Sequence, residues 1–357
     1  MNILITGPSL DVKKNVSGIS SVVNSIIKYN KAANYYHFLS GKEDDEAGGL
    51  KRLTPLFKSY LLFYSLSKKN KYDILHLNLA LNPKSILRDY SFFEIASFFK
   101  KKTITHLHGG KHLTTKPKNL ILKYIINRII KNSDILIVLS DLEKDLVQQY
   151  SSRQDTVSLS NSVEDTYLEA NIKDKSEIVT RFLFLGRLHE SKGLDYLIKA
   201  FEELCSSGIN AVLNICGTGP LEERVTEATN RNHKIIFHGI VSGADKLDKL
   251  TSNDVFVLPS IHGEGLPVAL LECMAVGLVP ITTSDGSMGS VVSNGTNGLL
   301  VPKHDSTAIY GQMKLLCKKT DLISQMSKES KSYISQNFRM DNYVKKLNEI
   351  YNDVLNT

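Results

Sequence analysis

The chain has 357 residues, of which 42% are apolar and 23% are charged. This length predicts two domains of similar size, and the composition is that of a globular protein rather than a disordered or collagen-like one. Its four cysteines form no C-x-x-C pair, which argues against a zinc site or a disulfide framework and favours a reducing compartment. The N-terminus lacks the features of a signal peptide, and no stretch reaches the roughly 18 apolar residues of a membrane span. We therefore expect a cytoplasmic protein.

The net charge of +7 is unevenly distributed along the chain. Residues 1–131 contain 22 Lys and Arg against 8 Asp and Glu, a net charge of +14, whereas residues 132–357 contain 22 against 29, a net charge of −7. Such asymmetry indicates a polyanionic partner for the first half, and nucleic acid, an anionic membrane or a phosphorylated lipid would each fit. A basic surface that is only solvated is the alternative interpretation.

In chain order, short apolar runs alternate with helical patterns. The first half predicts strands at 2–6, 72–78, 102–107 and 134–139, and helices at 18–29 and 118–131. A polar stretch with little apolar periodicity follows at 164–178, and we predict the linker between two domains there. The second half predicts strands at 181–185, 211–216, 235–237, 255–258 and 278–282, and helices at 193–204 and 341–355.

This alternation predicts the α/β fold class, with two Rossmann-like, doubly wound domains, each built on a parallel sheet with helices on both faces. The predicted domains span 1–163 and 179–335, with 164–178 as the linker and 336–357 as a C-terminal helix. Ligands of doubly wound sheets bind beyond the carboxyl ends of the strands. Two such sheets facing each other would place the site in the cleft between the domains.

The segment 259–277 has the pattern of a ligand-binding helix start. Pro267 suits the first helical position, where its missing N–H costs nothing, and Gly277 suits the helix end. The helix N-terminus offers free backbone N–H groups and a positive dipole end to phosphate or sugar hydroxyls. Glu264 precedes this helix and Glu272 lies within it, and eight helical residues would separate them by about 12 Å, the order of the distance from a hexose to a ribose across a diphosphate. A surface helix with two unremarkable glutamates is the alternative.

This segment resembles the signature of glycosyltransferase family 4, retaining enzymes with the two-domain GT-B fold, and most of the chain follows the order of that family's motifs. The resemblance implies that Glu264 lies beside the transferred sugar and has a catalytic role. It also implies that the backbone groups of Gly265, Leu266 and Val268 surround that sugar, and that Glu272 binds the ribose hydroxyls. The resemblance further implies that the last helix packs back on the first domain.

Further motifs extend the resemblance. Residues 184–195 resemble the element whose Arg and Lys bind the donor diphosphate, which implies this role for Arg187 and Lys192. An Arg provides a forked contact and a Lys a point charge, so together they can neutralise a diphosphate leaving group without a metal. Ile240, after the strand at 235–237, is implied to contact the donor base. We find no convincing D-x-D metal motif, and we interpret the acidic loop at 43–46 as solvated surface.

Two positions in the first half also match the family. Gly18 follows the loop after the first strand, where the family brings its backbone to the diphosphate, although Ser17 replaces the first of two usual glycines. His108 directly follows the strand at 102–107. The resemblance implies that it faces the sugar and stabilises positive charge near the anomeric carbon. His106 has the same strand parity, so it is the alternative for this role. The family commonly has Gly-Gly and then Glu within 281–292, whereas this chain has Gly286, Ser287 and Ser290.

The resemblance therefore implies a retaining hexosyltransferase. It would move a hexose-type sugar from a nucleotide-diphosphate sugar, with UDP favoured, to a glycan or lipid-linked acceptor in the synthesis of a cell-envelope polysaccharide such as capsule or O-antigen. No metal or other cofactor is expected. A non-catalytic nucleotide-sugar-binding protein is the alternative, because its binding residues would look alike.

The residues argue against two other interpretations. A dinucleotide-dependent dehydrogenase would need G-x-G-x-x-G after the first strand, and residues 7–9 do not supply it. Nucleic acid would explain the basic first half but not the second half, so no nucleic-acid partner is expected. Aromatic and aliphatic runs followed by lysines, at 56–71 and 91–102, favour peripheral contact with an anionic membrane at its inner face.

Overall fold

The computed structural model describes residues 1–12, 14–41, 53–148, 150–151, 153, 155–173 and 179–356. The chain forms two compact units, one of Met1–Asn161 with Asp341–Thr357 and one of Ser162–Met340. Each unit contains a six-stranded parallel sheet, so the predicted α/β architecture of two doubly wound units is confirmed.

The first sheet has the strand order β2-β1-β3-β4-β5-β6. Its strands are β1 (Asn2–Gly7), β2 (Asn34–Leu39), β3 (Ile74–Leu79), β4 (Lys102–Leu107), β5 (Ile135–Val138) and β6 (Thr156–Ser158). The helices of this part of the chain are α1 (Gly18–Tyr29), α2 (Leu53–Lys68), α3 (Pro83–Phe98), α4 (Lys111–Thr114), α5 (Leu120–Asn132) and α6 (Asp141–Gln148).

The second sheet has the order β12-β11-β10-β7-β8-β9. Its strands are β7 (Thr180–Leu185), β8 (Ala211–Cys216), β9 (Ile235–Phe237), β10 (Val255–Leu258), β11 (Val279–Thr282) and β12 (Leu299–Leu300). Its helices are α7 (Asp165–Glu169), α8 (Leu194–Ser206), α9 (Glu222–Arg231), α10 (Gly243–Thr251), α11 (Val268–Val276), α12 (Met288–Val291), α13 (Ser306–Lys318) and α14 (Thr320–Asn337). The last helix of the chain is α15 (Met340–Asn356).

In the first unit, successive residues of each strand face opposite sides of the sheet, and helices cover both sides. Every residue of β3 is buried, as expected for an inner strand of a parallel sheet. Leu75, Leu77 and Leu79 join one apolar cluster with buried side chains of α2, α3 and α5. These three helices therefore cover the same face of the first sheet, and α15 packs on the opposite face, where His76 meets Tyr351.

The domain boundaries differ in detail from the predicted ones. We predicted 164–178 as a linker, whereas the second unit begins at Ser162 and its helix α7 packs on α11. The backbone N–H of Val163 donates to the carbonyl of Phe338 at 2.9 Å within that unit. Residues 341–357 belong to the first unit. Residues 174–178 of the predicted linker and the acidic loop 43–46 lie outside the described residues.

The residues that the structure describes lack two features. Among them, no helix combines the length and the apolar character needed to cross a membrane. The same part of the chain contains no group of three or more His, Cys, Asp and Glu side chains arranged to hold a metal ion.

Buried histidines connect the first sheet to α15. The His76 Nδ1 atom lies 2.7 Å from the Tyr351 hydroxyl, and its Nε2 atom lies 3.3 Å from Nδ1 of His106. Both imidazoles are fully buried. Burial, and then the charge of His108, lowers the pKa of His76 to about 3. Burial, and then the charges of His108 and His76, lowers the pKa of His106 well below its ordinary value. Both rings are therefore neutral in the folded protein at neutral pH.

We predict that acidification destabilises the first unit through this pair. Because the folded pKa of His76 lies below its unfolded value of about 6.5, its contribution is complete above pH 6.5 and is lost as the pH falls toward 3. At pH 5 this loss amounts to about 2 kcal/mol. Urea unfolding at pH 7.5 and pH 5 should show a smaller pH-dependent loss for His76→Gln than for the unmodified protein. The exposed His233→Gln should keep the full loss, and equal losses in all three proteins would contradict the prediction.

Candidate active site

Three loops of the second unit meet at one edge of its sheet. They follow β7, β10 and β11, which are neighbours in the strand order. Because all strands of a parallel sheet point the same way, these loops lie beyond adjacent carboxyl ends, where doubly wound sheets bind ligands. Lys192 follows β7, Glu264 follows β10 and Asp285 follows β11.

Glu264 and Lys192, both predicted site residues, form an ion pair. The Lys192 Nζ atom lies 2.6 Å from Oε1 of Glu264. The hydroxyl of Ser260, also fully buried, donates to the same carboxylate oxygen at 2.5 Å. Glu264 is 5% exposed, so its carboxylate is fixed by two donors and has little solvent around it. A buried carboxylate held in this way suits the stabilisation of positive charge in a nearby ligand.

The position of Lys192 depends on a close approach of two loops. Lys192 ends a 3-10 turn at Glu190–Lys192, and Gly193 follows with φ of +71°. A Cβ atom on Gly193 would lie 2.1 Å from the carbonyl oxygen of Pro259, so only glycine fits. The backbone N–H of Ile261 donates to the carbonyl of Ser191 at 2.7 Å. The loop after β7 is thus joined to the loop that carries Glu264.

Asp285 is a structural residue of the site that the sequence analysis missed. It is 2% exposed, and its Oδ2 atom accepts the backbone N–H of Glu264 at 2.9 Å. Its Oδ1 atom pairs with Nζ of Lys303 at 2.5 Å. Gly286, with φ of +56°, brings the backbone so near that a Cβ atom would lie 2.3 Å from the Glu264 carbonyl oxygen. The available signal was an acid directly before a glycine and three residues beyond a strand.

The replacement of the family's usual Glu by Ser290 has a local explanation. The Ser290 hydroxyl donates to the carbonyl of Ser287 at 2.7 Å, so the side chain is satisfied within its own turn. The backbone N–H of Ser287 donates to the carbonyl of Gly265 at 2.9 Å. The turn that lacks the usual Gly-Gly and Glu therefore still supports the loop before α11.

Three predicted sugar-binding positions lie at the start of α11. Gly265 and Leu266 are buried and Val268 is half-buried. The helix begins at Val268, one residue after the predicted start, and Pro267 occupies the N-cap position. Since only 268–272 is helical, the predicted separation of about 12 Å between Glu264 and Glu272, which assumed eight helical residues, does not hold as derived. Gly277 ends the helix with φ of +105°, as expected.

Glu272 lies in the middle of α11, a helix that is apolar on every side and buried from Leu270 to Val276. Its two carboxylate oxygens lie 2.7 and 2.6 Å from Nζ of Lys246. The Lys246 Nζ atom also lies 5.4 Å from the centroid of the Tyr167 ring. Burial opposes the charge of Lys246, but the attraction of Glu272 and Tyr167 outweighs it and raises the pKa of Lys246. Burial, and then the charge of Glu272, raises the pKa of Tyr167 to about 12.

The remaining predicted donor contacts of the second unit lie in loops after β7 and β9. Arg187 is half-buried two residues beyond β7, and its carbonyl accepts the N–H of His189 at 2.9 Å. Ile240 is 44% exposed, three residues beyond β9. An exposed apolar side chain at that edge offers a flat contact to an aromatic base.

Gly18, the predicted phosphate contact of the first unit, begins α1. Ser17 is the N-cap of that helix, and its hydroxyl accepts the backbone N–H of Ser20 at 3.3 Å. The replacement of the first glycine by Ser17 therefore supplies a helix cap. Gly18 itself is exposed, and a Cβ atom added there would have no neighbour within 4 Å. The free protein thus has no steric need for glycine at this position.

His108, the other predicted site residue of the first unit, lies directly after β4 and is partly exposed, whereas His106 is fully buried in the strand. The His108 Nε2 atom donates to Oδ1 of Asn78 at 2.7 Å, because the Asn78 amide nitrogen is already bonded to the Thr6 carbonyl at 2.8 Å. Burial lowers the pKa of His108 to about 3. Asn78, at the end of a neighbouring strand, was missed because only strand pairing brings it to His108.

Comparisons with known proteins identify relatives for both the sequence and the fold. Residues 168–333 match the sequence profile of the family described as glycosyl transferases group 1. The UDP-Gal:alpha-D-GlcNAc-diphosphoundecaprenol alpha-1,3-galactosyltransferase of Escherichia coli is 26% identical over 318 residues, which cover 84% of this chain and 80% of that protein. For four further curated relatives, the match covers between 48% and 79% of the relative's own length.

Solved structures extend the similarity to the whole fold. Sucrose-phosphate synthase from Thermosynechococcus elongatus superposes with a TM-score of 0.81 at 16% identity, covering 99% of this chain and 98% of that one. Anabaena HepE in complex with UDP-glucose gives a TM-score of 0.77 at 16% identity, covering 99% of this chain and all of that one. The predicted GT-B fold is thereby confirmed.

We predict that Asp285 stabilises the second unit through the Glu264 backbone rather than through Lys303. Asp285→Ala leaves a buried N–H without its acceptor, which should cost about 1–3 kcal/mol of unfolding free energy. Lys303→Ala removes a partner that is 40% exposed, so water can take its place at Oδ1 of Asp285, and the cost should be less than about 1 kcal/mol. Asp285→Asn, which retains an acceptor oxygen, should recover most of the loss. Equal costs for the two alanine variants in urea unfolding would contradict this assignment.

Proposed function

We propose that this chain, whose residues 168–333 belong to the glycosyl transferases group 1, is a retaining hexosyltransferase that uses a nucleotide-diphosphate sugar and needs no metal. The observation that carries the proposal is the buried Glu264 carboxylate held by Ser260 and Lys192 at the carboxyl edge of the second sheet. Such a reaction develops one positive and one negative charge, and a carboxylate in contact with a cation can stabilise both.

Those two charges are opposite in sign. Cleavage of the bond between the sugar and the diphosphate makes the sugar oxocarbenium-like and leaves negative charge on the departing diphosphate. We assign stabilisation of the sugar to Glu264, and stabilisation of the diphosphate to Lys192, Arg187 and the N-terminus of α11. In the free protein Lys192 neutralises Glu264. A bound diphosphate would share this lysine.

We propose a UDP-hexose as the donor substrate. It is supported by the UDP-glucose bound to HepE and by the UDP-Gal named for the Escherichia coli relative. Glu272 is assigned to the ribose hydroxyls, Ile240 to the base, and Gly265, Leu266 and Val268 to the sugar. In the first unit, His108 is assigned to the sugar and Gly18 to the diphosphate.

The acceptor proposal is a glycan or a lipid-linked sugar in the synthesis of a cell-envelope polysaccharide, at the cytoplasmic face of a membrane. It is supported by the diphosphoundecaprenol-linked acceptor named for the Escherichia coli relative. The proposal that the anomeric configuration is retained rests on the family resemblance. An NMR spectrum of the product would test it.

A non-catalytic nucleotide-sugar-binding protein is the competing function, since it would use the same binding residues. We predict that Glu264→Gln separates the two functions. The amide oxygen still accepts from Ser260 and Lys192, so folding and UDP binding should persist, whereas loss of the negative charge should lower turnover by about 100-fold or more. UDP release from UDP-glucose and UDP-galactose, and the shift in melting temperature with UDP, measure the two effects.

The matched control is Glu272→Gln, the same change in a second buried carboxylate. Its loss should appear in donor affinity and KM more than in turnover, because we assign this residue to the ribose. Stabilisation by UDP with no turnover in the unmodified protein would favour the non-catalytic function. Stabilisation by no nucleotide sugar would overturn both.

We also predict that Gly18→Ala weakens donor binding without harming the fold. The added methyl group has open space in the free protein but would stand where a diphosphate approaches the backbone. Losing one hydrogen bond to a charged group should weaken UDP binding roughly ten-fold. Gly311→Ala, a change in open space within α13, is the control and should leave UDP binding unchanged. Equal UDP affinity in the two variants, measured by calorimetry, would remove Gly18 from the donor site.

A further inference from the structure

One face of the first unit combines basic charge with exposed apolar side chains. Residues 95–133 contain nine Lys and Arg and no Asp or Glu, and residues 47–72 contain six Lys and Arg and no Asp or Glu. The described parts of these segments include α2, α5 and the end of α3. None of this charge is used by the donor site proposed above.

The apolar side chains on these helices are large and exposed. On α2, Phe57, Leu61 and Tyr64 are 62%, 54% and 43% exposed. They recur at helical spacing on the side away from Phe63, which is buried in the core. The three residues form a stripe that is largely exposed, although the ring of Tyr64 also packs against Phe99 with centroids 5.0 Å apart.

The first turns of α5 repeat this combination. Leu120, Ile121 and Tyr124 are 78%, 66% and 60% exposed. Lys118 and Lys123 lie beside them in the sequence and are also exposed. Aliphatic, tyrosine and lysine side chains in one place are typical of surfaces that lie in a membrane interface.

These helices present their outer sides in the same direction. The buried sides of α2, α3 and α5 contribute to one apolar cluster on one face of the first sheet, and α3 packs between the other two. The two acidic residues of α3 are each paired with an arginine at 2.6 Å: Asp89 with Arg88, and Glu94 with Arg128. The surface charge of this helical layer is therefore dominated by lysine.

We infer that the outer surface of α2, α3 and α5, here called the basic helical face, docks on an anionic phospholipid bilayer. A protein partner is disfavoured because protein interfaces are depleted in lysine. Nucleic acid is disfavoured because its interfaces are polar, and exposed leucine and isoleucine side chains gain nothing there. An anionic bilayer takes up both components, with lipid phosphates attracting the lysines and the interface accepting the apolar side chains.

The test is co-sedimentation of the full chain with vesicles of phosphatidylcholine alone or of phosphatidylcholine with 40% phosphatidylglycerol. Binding is expected to the anionic vesicles and to weaken with added salt. The double variant Lys118→Glu, Lys123→Glu should weaken it by at least roughly 25-fold, since each surface lysine contributes about five-fold and each glutamate adds repulsion. Glutamate near the start of α5 is favourable to the helix, so this loss would not reflect unfolding.

The matched control is Lys318→Glu, Lys328→Glu, an equal change in net charge at two exposed lysines of the second unit. It should retain nearly full binding, and Ile121→Ser should weaken binding several-fold more than Ile236→Ser of the second unit. The inference would be overturned if the protein did not bind anionic vesicles, or if the two double variants lost binding equally. It would also be overturned if a DNA oligonucleotide displaced the vesicles while Ile121→Ser bound them as well as the unmodified protein. Because no donor or acceptor is present, these results are independent of the proposed reaction.

Discussion

All strands of a parallel sheet end at the same edge, and both units use this constraint to bring together side chains that are far apart in the chain. In the second unit it brings Lys192, Glu264 and Asp285 together from the ends of three neighbouring strands. In the first unit it brings Asn78 within 2.7 Å of His108. Backbone pairing of the strands fixes where the loops begin, and contacts between the loops, such as the bond from the Ile261 N–H to the Ser191 carbonyl, then position the polar groups. This arrangement lets short, glycine-containing loops carry buried charges at a defined distance.

Those buried charges occur as pairs. Glu264, Glu272 and Asp285 each lie within 2.6 Å of a lysine nitrogen, and each carboxylate is at least 94% buried at its side chain. An isolated carboxylate at such burial would be protonated or would destabilise the fold, and the lysine removes that penalty. The pairs therefore do not by themselves indicate stability. Their consequence is that lysines are held at the edge of a sheet, where an anionic ligand can share them.

The elements whose bounds the sequence predicted well are those identified by local patterns. The strands 211–216, 235–237 and 255–258 have the predicted bounds, because each is a short, mostly apolar run closed by a turn. The strand 102–107 also has the predicted bounds, although only Ile104 and Leu107 of its six residues are apolar. Glu264 and Lys192 were both predicted, and the structure brings them together. The ion pair itself was not predicted, because the two residues are 72 positions apart and only the sheet order makes them neighbours.

Other features depended on tertiary context and were missed. The strand β2 has one buried residue, Phe38, and includes Asn34 and His37, so it lacks the apolar run of an inner strand. The strand β6 has three residues of which only Val157 is apolar, so it lacks the apolar run that identified the equally short β9, and β12 has only two residues. Lys246 and Asn78 have no local signal at all, since their partners lie 26 and 30 residues away. Ser17 illustrates the opposite case, because a departure from the family pattern proved to be a helix cap.

The net charge of a long segment and the charge around a single site predict different kinds of partner. Residues 132–357 carry 22 basic and 29 acidic residues, yet this acidic part contains Lys192 and Arg187, to which we assign the diphosphate of the donor. The net charge of that part says nothing about the site, because the site is set by a few buried pairs. In the basic half the reverse holds. Its lysines are spread over exposed helices with no acid within 95–133, so their effect is additive and long-ranged, which suits a broad anionic surface rather than a single small anion.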